Sequence, residues 1–286
     1  MAKGGLWNTG RALFLSAALC LGFFSGCGSE RETGHGAEVA VKVTFFDVGK
    51  GDAVLIETAN HCMMIDSGYD DTAEVILDYL KERETDRLDY LLLSHFDKDH
   101  VGGADRILEE VETGTVLQPD YQSDGGQYGE YMEVMRAQGK APAVVTQTME
   151  LSLDGVEFVI YPPQKKDYEE EDNDFSLVVR MRYGDGSFLF AGDCEKERLN
   201  ELLEQREFEL ASDVLKVPHH GRKEKNSREF LSAVRPVTAV ITSSKEKPAD
   251  EEICGILEEL GTDVYFTENG TVTVCCDGEK FEVLQE

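Results

Sequence analysis

The stretch Leu91-Leu92-Leu93-Ser94-His95-Phe96-Asp97-Lys98-Asp99-His100-Val101-Gly102-Gly103 limits what this chain can fold into. Its leucines read as a strand buried on both faces. Two His and two Asp then fall within six residues, and Gly-Gly leads into a helix-like run. A solvated loop accounts for Asp97-Lys98-Asp99, but not for the histidines on either side of it. Imidazole and carboxylate bunched at a strand-to-helix turn are the donor set of a metal site. Strand ends at one sheet edge can bring such donors together without disturbing a core.

Strand-like and helix-like patterns alternate around that turn. Strands are predicted at residues 39–46, 53–57, 61–65 and 88–93. Residues 72–83 place Val75, Ile76, Tyr79 and Leu80 on one helical face, and 101–111 reads as the helix after the central motif. Further strands are predicted at 115–118, 143–147, 156–161, 175–181, 187–190, 213–217, 237–242, 264–266, 271–275 and 280–284. Helices are predicted at 128–138, 195–205, 227–234 and 249–260. Residues 118–129 read as a loop on the substrate side, and the acidic run 167–174 as a solvated insertion. Two mixed sheets packed together with helices outside satisfy this alternation. No boundary shows after residue 39, so residues 39–286 are expected to form one domain.

Ahead of it, Lys3 and Arg11 accompany an apolar run over 12–24, short for a membrane span and suited to a signal core. The run ends in Phe24-Ser25-Gly26-Cys27, which resembles a bacterial lipoprotein signal. The expectation is a signal over 1–26, lipidation at Cys27 and a polar tether over 27–38. The domain would then be extracytoplasmic, lipid-anchored at a bacterial cell membrane; an ordinary cleaved signal would make it secreted. Five of the seven cysteines lie beyond Cys27 without a C-x-x-C pair, so neither a disulfide framework nor a zinc knuckle is indicated. The formal net charge of −29 repels polyanions in general. A polyanionic substrate would therefore need local cations or bound metal.

Two later strand ends carry the same chemistry, Gly192-Asp193 and Pro218-His219-His220-Gly221. Lys216, Arg222, Lys223, Lys225 and Arg228 surround the second against Glu224 and Glu229, the composition of a phosphate-binding lip. An ordinary solvated loop and helix start would read the same way. Cys194 after Asp193 reads as a small buried side chain rather than a thiolate ligand.

Taken in order, these segments form a pattern. Asp47 to Asp52 gives Asp-Val-Gly-x-Gly-Asp, and Ile65 to Gly68 gives Ile-Asp-x-Gly. Ser94 to Gly103 gives Ser-His-x-Asp-x-Asp-His-x-Gly-Gly. Asn173 to Val178, Gly192-Asp193 and Leu215 to Gly221 follow as Asn-x-x-Ser-Leu-Val, Gly-Asp and Leu-Lys-x-Pro-His-His-Gly. Over roughly residues 40–285 the chain resembles the metallo-β-lactamase superfamily, and within it the nuclease-like domain of ComEC-type competence proteins. The resemblance implies an α/β fold, a four-layer αββα sandwich of two mixed β-sheets flanked by helices. It implies one or two divalent metal ions, with His95 and Asp97 on one and Asp99 and His100 on the other. Asp193 would bridge, and His219 or His220 would complete the site, His219 being preferred as ligand and His220 as catalytic partner. Asp99 would orient or deprotonate the attacking water, with Arg222, Lys223 and Lys225 contacting substrate. Asp66 and Asp47 suit supporting or turn-forming places.

The chain departs from the family pattern at several positions. Asp97 stands for the superfamily's second His, no His occurs between 101 and 218, Glu246-Lys247-Pro248 replaces a Gly-His-Pro, and Arg222 replaces a Ser. An oxygen-rich set suits Mn²⁺ or Mg²⁺, and Zn²⁺ accepts the same ligands. The implied function is a metal-dependent phosphodiesterase or DNase acting on single-stranded DNA or another phosphodiester. The alternatives are a small-molecule hydrolase opening a lactone, thioester or β-lactam, and a binding lipoprotein without catalysis.

Overall fold

Two half-chains follow one plan, an antiparallel start and then parallel strands joined by helices. In the computed structural model, which describes residues 41–169, 171–205 and 208–286, β1 (Val41–Phe45), β2 (Ala53–Glu57) and β3 (Cys62–Ser67) form an antiparallel meander. α1 (Ala73–Glu82) returns the chain to β4 (Arg87–Leu92), parallel to β3. α2 (Lys98–Val101) and α3 (Ala104–Glu110) lead to β5 (Glu112–Pro119), and α4 (Gly126–Ala137) leads to β6 (Ala143–Val145), both parallel additions.

The second half opens with β7 (Met149–Leu153) and β8 (Val156–Tyr161). After α5 (Glu171–Asp174), β9 (Val178–Tyr183) and β10 (Gly186–Phe190) complete its antiparallel part. α6 (Lys196–Glu204), α7 (Ser227–Val234) and α8 (Glu251–Leu260) then join the parallel strands β11 (Val214–Lys216), β12 (Thr238–Ile241) and β13 (Asp263–Phe266). β14 (Val272–Cys276) returns beside β1 and carries β15 (Phe281–Gln285). The result is an eight-stranded sheet, β15-β14-β1-β2-β3-β4-β5-β6, and a seven-stranded sheet, β13-β12-β11-β10-β9-β8-β7.

Side-chain alternation builds the layers. Val54 and Ile56 of β2 join Val179, Met181, Phe188 and Phe190 in the core between the sheets. Ala53 and Leu55, one residue out of phase, pack with Ile76, Leu80, Ile107 and Met135 from α1, α3 and α4. On the far side, Leu189 and Leu215 pack with Leu199, Phe230 and Ile256 from α6, α7 and α8. The expected four-layer αββα sandwich is therefore present. Cys276 is buried and Cys275 is not, as adjacent strand residues on opposite faces should be. Among the described residues no helix is long and apolar enough to cross a membrane. The expected signal, Cys27 and the tether lie outside the described residues.

Three local expectations change. Residues 149–153 form β7, an amphipathic edge strand with no apolar run to announce it. The acidic run ends in α5, and the Asp174 carboxylate is buried, accepting hydrogen bonds from the backbone of Glu195 and Arg198 at the start of α6. The helix expected over 101–111 breaks at Gly102-Gly103. A Cβ at Gly102 would lie 2.6 Å from Asp70 N and 2.9 Å from Gly68 O, and one at Gly103 would lie 2.5 Å from Ser67 O. The glycines thus let α2 lie directly on the end of β3, with Gly103 N donating to Gly68 O. Gly102→Ala is expected to destabilise the fold by about 1–3 kcal/mol through overpacking against backbone that cannot yield; urea denaturation of the variant measures it, and an unchanged midpoint would contradict the close-packing account.

Candidate metal centre

Both sheets point the C-terminal ends of their parallel strands at one edge, where chemistry gathers in open α/β sheets. β3 ends on Asp66 and Ser67, β4 runs into Ser94-His95, and α2 carries Asp99 and His100. From the other sheet, β10 runs into Gly192-Asp193, β11 into His219-His220 and β12 into Thr242. Asp52 and Lys50 arrive from the turn between β1 and β2. His95, His100, Asp193, His219 and His220 are all buried.

Hydrogen bonds fix which ring nitrogen each histidine turns inward. Ser94 commits its backbone N–H and its hydroxyl proton to Asp66, at 2.7 and 2.6 Å. The Ser94 oxygen can then only accept, so His95 donates from Nδ1 at 3.0 Å and keeps its lone pair on Nε2. That Nε2 is buried and makes no hydrogen bond. His100 donates from Nδ1 to Asp66 at 2.9 Å and sets Nε2 3.2 Å from Asp193 Oδ1. His220 donates from Nδ1 to the Thr242 carbonyl at 3.0 Å and sets Nε2 3.0 Å from Asp193 Oδ2. The Nε2 atoms of His100 and His220 are 3.4 Å apart. The Nε2 atoms of His100 and His220 therefore converge on the Asp193 carboxylate, and His95 lies within ligand range of His100 and Asp193, each ring held from behind. This is the donor chemistry of a divalent-ion site, and the unpartnered His95 Nε2 fits it.

Asp52 also lies within ligand range of His100 and His220, but on their Nδ1 side, at 3.7 and 3.4 Å. Its carboxylate already accepts from Thr242 Oγ1 at 2.6 Å and pairs with the Lys216 ammonium. It supports the site from outside. Lys216 reaches Asp193 Oδ1 as well, at 3.5 Å, and donates to the Gly192 carbonyl at 3.0 Å.

Burial and neighbouring charges set the protonation of these groups. Burial presses the pKa of His100 down, but Asp193, Asp52 and Asp66 outweigh it and hold the ring well above the ordinary imidazole value. His95 is pushed well below that value by burial and by His100, and burial also lowers His220. Asp193 is held well below the carboxylate range despite burial, by His220, His100 and Lys216. Asp99 falls to about 2, the pull of His100, His220 and Lys50 exceeding the effect of burial. Asp97 rises to about 6 through burial and the nearby Asp172.

Asp97 is at the rim, Oδ2 lying 3.9 Å from His95 Nε2. Asp99 Oδ2 is 3.6 Å from His220 Nε2 and accepts from Lys50 Nζ at 3.2 Å and, more distantly, from Tyr69 Oη at 3.4 Å. His219 presents Nε2 3.9 Å from Asp193 Oδ2 and Nδ1 3.1 Å from Glu195 Oε1. Cys194 is buried, and burial raises its thiol pKa far above the ordinary value. The basic lip is reduced. Lys216 is inside the core, Lys223 is tied to Glu252 at 2.6 Å, and Arg228 is tied to Glu259 at 2.7 Å, leaving Arg222 and Lys225 exposed.

Asp52, Lys50, Glu195, Thr242 and the buried role of Lys216 were not evident from the sequence. Asp52 closes the Asp-Val-Gly-x-Gly-Asp motif, and Lys216 shares the inward phase of Val214 in β11, a position where a lysine must have a partner. Lys216→Met is expected to cost the metal-free protein about 3–5 kcal/mol, because Asp52 and Asp193 would lose their shared cation. Chemical denaturation in the presence of chelator measures this, and a loss below about 1 kcal/mol would show that the two carboxylates do not depend on it.

A family model described as the metallo-beta-lactamase superfamily matches residues 46–243. ComE operon protein 3 of Bacillus subtilis is 26% identical over 81% of this chain and 32% of its own length. Recombination protein 2 of Haemophilus influenzae is 32% identical over 81% of this chain and 28% of its own length. Competence protein ComA of Neisseria gonorrhoeae is 31% identical over 70% of this chain and 27% of its own length. This chain thus spans about a third or less of these relatives. Among solved structures, Igni18, a metallo hydrolase of Ignicoccus hospitalis, superposes with a TM-score of 0.53 at 18% identity, covering 82% of this chain and 98% of its own. YhfI of Bacillus subtilis, described as a metallo-beta-lactamase fold protein, gives 0.53 at 11%, covering 80% and 96%. With its matched motifs, its sandwich and its converging histidines, the chain belongs to the metallo-beta-lactamase superfamily.

Proposed function

We propose that this chain is a metal-dependent phosphodiesterase, a DNase acting on single-stranded DNA or a related diester outside the cytoplasmic membrane, with lipidated Cys27 as its anchor. Superfamily membership supports a metallo-hydrolase. The observation that carries the reading is the pair of His100 and His220 Nε2 atoms on Asp193, with His95 in ligand range of His100 and Asp193 and each imidazole locked from its Nδ1 side. The names of two relatives, a recombination protein and a competence protein, support a nucleic-acid substrate.

His95, His100, His220 and Asp193 would hold the first divalent ion, with Asp97, Asp99 and His219 as further donors at the rim and for a second. His220 is read as a ligand because Thr242 fixes its Nδ1–H and leaves Nε2 facing Asp193. Carboxylates among the donors suit Mn²⁺ or Mg²⁺ and accept Zn²⁺. Such an ion supplies a Lewis acid for phosphoryl oxygens and acidifies water into a nucleophile at neutral pH. Asp99, held ionised with its pKa near about 2, is the base that orients the attacking water. Lys50, 3.2 Å from Asp99, is an ammonium at the mouth of the site able to meet a phosphoryl oxygen.

Two results follow. The mature chain supplied with Mn²⁺ should cleave single-stranded DNA and bis-p-nitrophenyl phosphate; Asp193→Ala and Asp99→Ala should each lower turnover by about a hundredfold or more. Full activity in Asp99→Ala, or faster opening of lactones, thioesters or β-lactams than of diesters, would overturn the reading. The second result concerns protons. The pKa of His100 is raised above its unfolded value, so the ion-free ring is protonated at neutral pH and must lose its proton to become a ligand. Ion affinity should rise with pH, and titration calorimetry in two buffers of different ionisation enthalpy should detect proton release; no buffer dependence would place His100 outside the ligand set.

A further inference from the structure

A pocket of about 310 Å³ is lined in part by Phe175, one residue before Ser176, and takes no part in the chemistry assigned above. Val145, Pro163 and Phe175 give it an apolar floor, while Thr146, Lys165 and Lys166 stand at its exposed rim. Its volume is in the range of small-ligand sites. Its composition runs against the surface around it, because two lysines border an aromatic floor in a chain of net charge −29.

Two chains of contact join this pocket to the metal centre. Phe175 precedes Ser176, whose hydroxyl accepts from Asp193 N at 3.1 Å and lies 3.5 Å from His95 Nδ1. Tyr121 stacks on Phe175 with ring centroids 4.6 Å apart and planes 22° from parallel. Its phenol oxygen accepts from Phe96 N at 2.7 Å, one residue after His95. Phe96 in turn packs against Tyr121 and Tyr128 at 4.6 and 4.5 Å. An aromatic wall thus runs without a break from the ligand turn to the pocket floor, and Tyr168 braces Phe175 edge-on at 5.1 Å. Buttressing of this kind fixes the Phe175 ring, which is 7% exposed and offers the pocket only its uncovered edge.

The rim supplies charge selectively. Lys165 is held by Glu197 at 3.0 Å and over the Tyr168 ring. Lys166 makes no ion pair among the described residues and is exposed. Asp120 and Thr146 at the same rim offer an acceptor and a hydroxyl to polar edges of a ring. An apolar floor, an aromatic edge, a hydrogen-bonding rim and an exposed ammonium are the requirements of a planar heterocycle carrying an anionic group.

We propose that this pocket is a nucleobase subsite. It seats the base of a nucleotide neighbouring the scissile diester against Phe175, Val145 and Pro163, with that nucleotide's phosphate on Lys166. The proposal rests on the phosphodiesterase reading for its place in catalysis, but the binding it requires does not depend on turnover. It restricts the substrate to strands whose bases are unpaired, because a base inside a duplex cannot leave its stack to enter without an unstacking cost.

The test is a titration of the purified mature chain with deoxyadenosine monophosphate, with deoxyribose 5-phosphate and inorganic phosphate as base-free probes, followed by calorimetry or by NMR of the protein. The mononucleotide should bind saturably, and deoxyribose 5-phosphate about tenfold or more weakly. Thr146→Trp, a surface substitution that fills the pocket, should abolish binding, and Lys166→Glu should weaken it about tenfold. Circular dichroism melting of both variants checks that the fold is kept. No saturable binding by the native chain, equal binding of base-free probes, or undiminished binding in Thr146→Trp each overturns the subsite. Parallel cleavage assays on single-stranded DNA separate the two ideas. Nucleotide binding without cleavage in Mn²⁺, Mg²⁺ or Zn²⁺ leaves the subsite and removes the phosphodiesterase, whereas cleavage with no pocket binding does the reverse.

Discussion

Two buried carboxylates, Asp52 and Asp193, share one buried ammonium, and the ligand-bearing end of the molecule is organised about that fact. Moving such charges out of water costs several kcal/mol each unless every one is paired and hydrogen-bonded. Here each charge has an oppositely charged partner. Lys216 lies between Asp52, Asp193 and the Gly192 carbonyl, Thr242 donates to Asp52, and the proton on His100 faces Asp66 and Asp193. The participants come from the β1–β2 turn, β3, α2, β10, β11 and β12, so the ionic set ties the C-terminal edges of both sheets together. Hydrophobic contact between the sheets is non-directional and could tolerate a small slide; the charge set could not.

The same set bears on the backbone. His219 and His220 have φ of 47° and 54°, and Gly221 follows at 78°, three consecutive residues in the left-handed region. Each non-glycine residue there costs roughly 1–2 kcal/mol. The conformation persists because it is fixed at both ends. Val217 bonds to Val240, His219 N donates to the Gly192 carbonyl, and His220 Nδ1 donates to Thr242. A regular helical turn after Pro218 would not carry both imidazoles in the directions these bonds require. Asp66, at φ of 57°, shows the same economy on the other sheet, turning its carboxylate onto Ser94 and His100. Strain of this kind gathers where side-chain direction matters more than local comfort.

Much of this architecture is legible in the sequence because its signals are local. The apolar run of β2, the apolar run ending at Leu93 and the amphipathic faces of α1 and α8 each declare an element without knowledge of its neighbours. The ligand turn is equally local, since its donors fall within a few residues of one another. What stays hidden depends on pairing across the molecule. Lys216 reads as one more cation near His219-His220 until Asp52, far away in sequence, is seen beside it. Lys223 and Arg228 read as a basic lip until Glu252 and Glu259 on α8 and at its end are seen to take their charge. β7 alternates over only five positions and has no β-branched or aromatic residue, and Asp174 looks like the end of a solvated acidic run until its burial under α6 is known. The division between ligand and support among histidines is likewise a matter of which ring nitrogen faces inward, which only the partners Ser94, Asp66 and Thr242 decide.

These pairings change how so acidic a protein could approach a phosphodiester. With the lip largely neutralised, long-range attraction from that surface is weak, and the field of the whole molecule opposes a polyanion. Affinity must then come from contacts made within a few ångströms. A divalent ion on the histidine–aspartate set would reverse the local sign, Lys50 stands at the mouth, and the Lys166 pocket adds an uncharged contact through its aromatic floor. Short-range terms favour a strand that can be threaded and unstacked over a duplex that presents only its charged exterior. The acidic envelope would then act as a filter, weakening non-specific adhesion to nucleic acid while leaving one place where a diester gains more from close contact than it loses on approach.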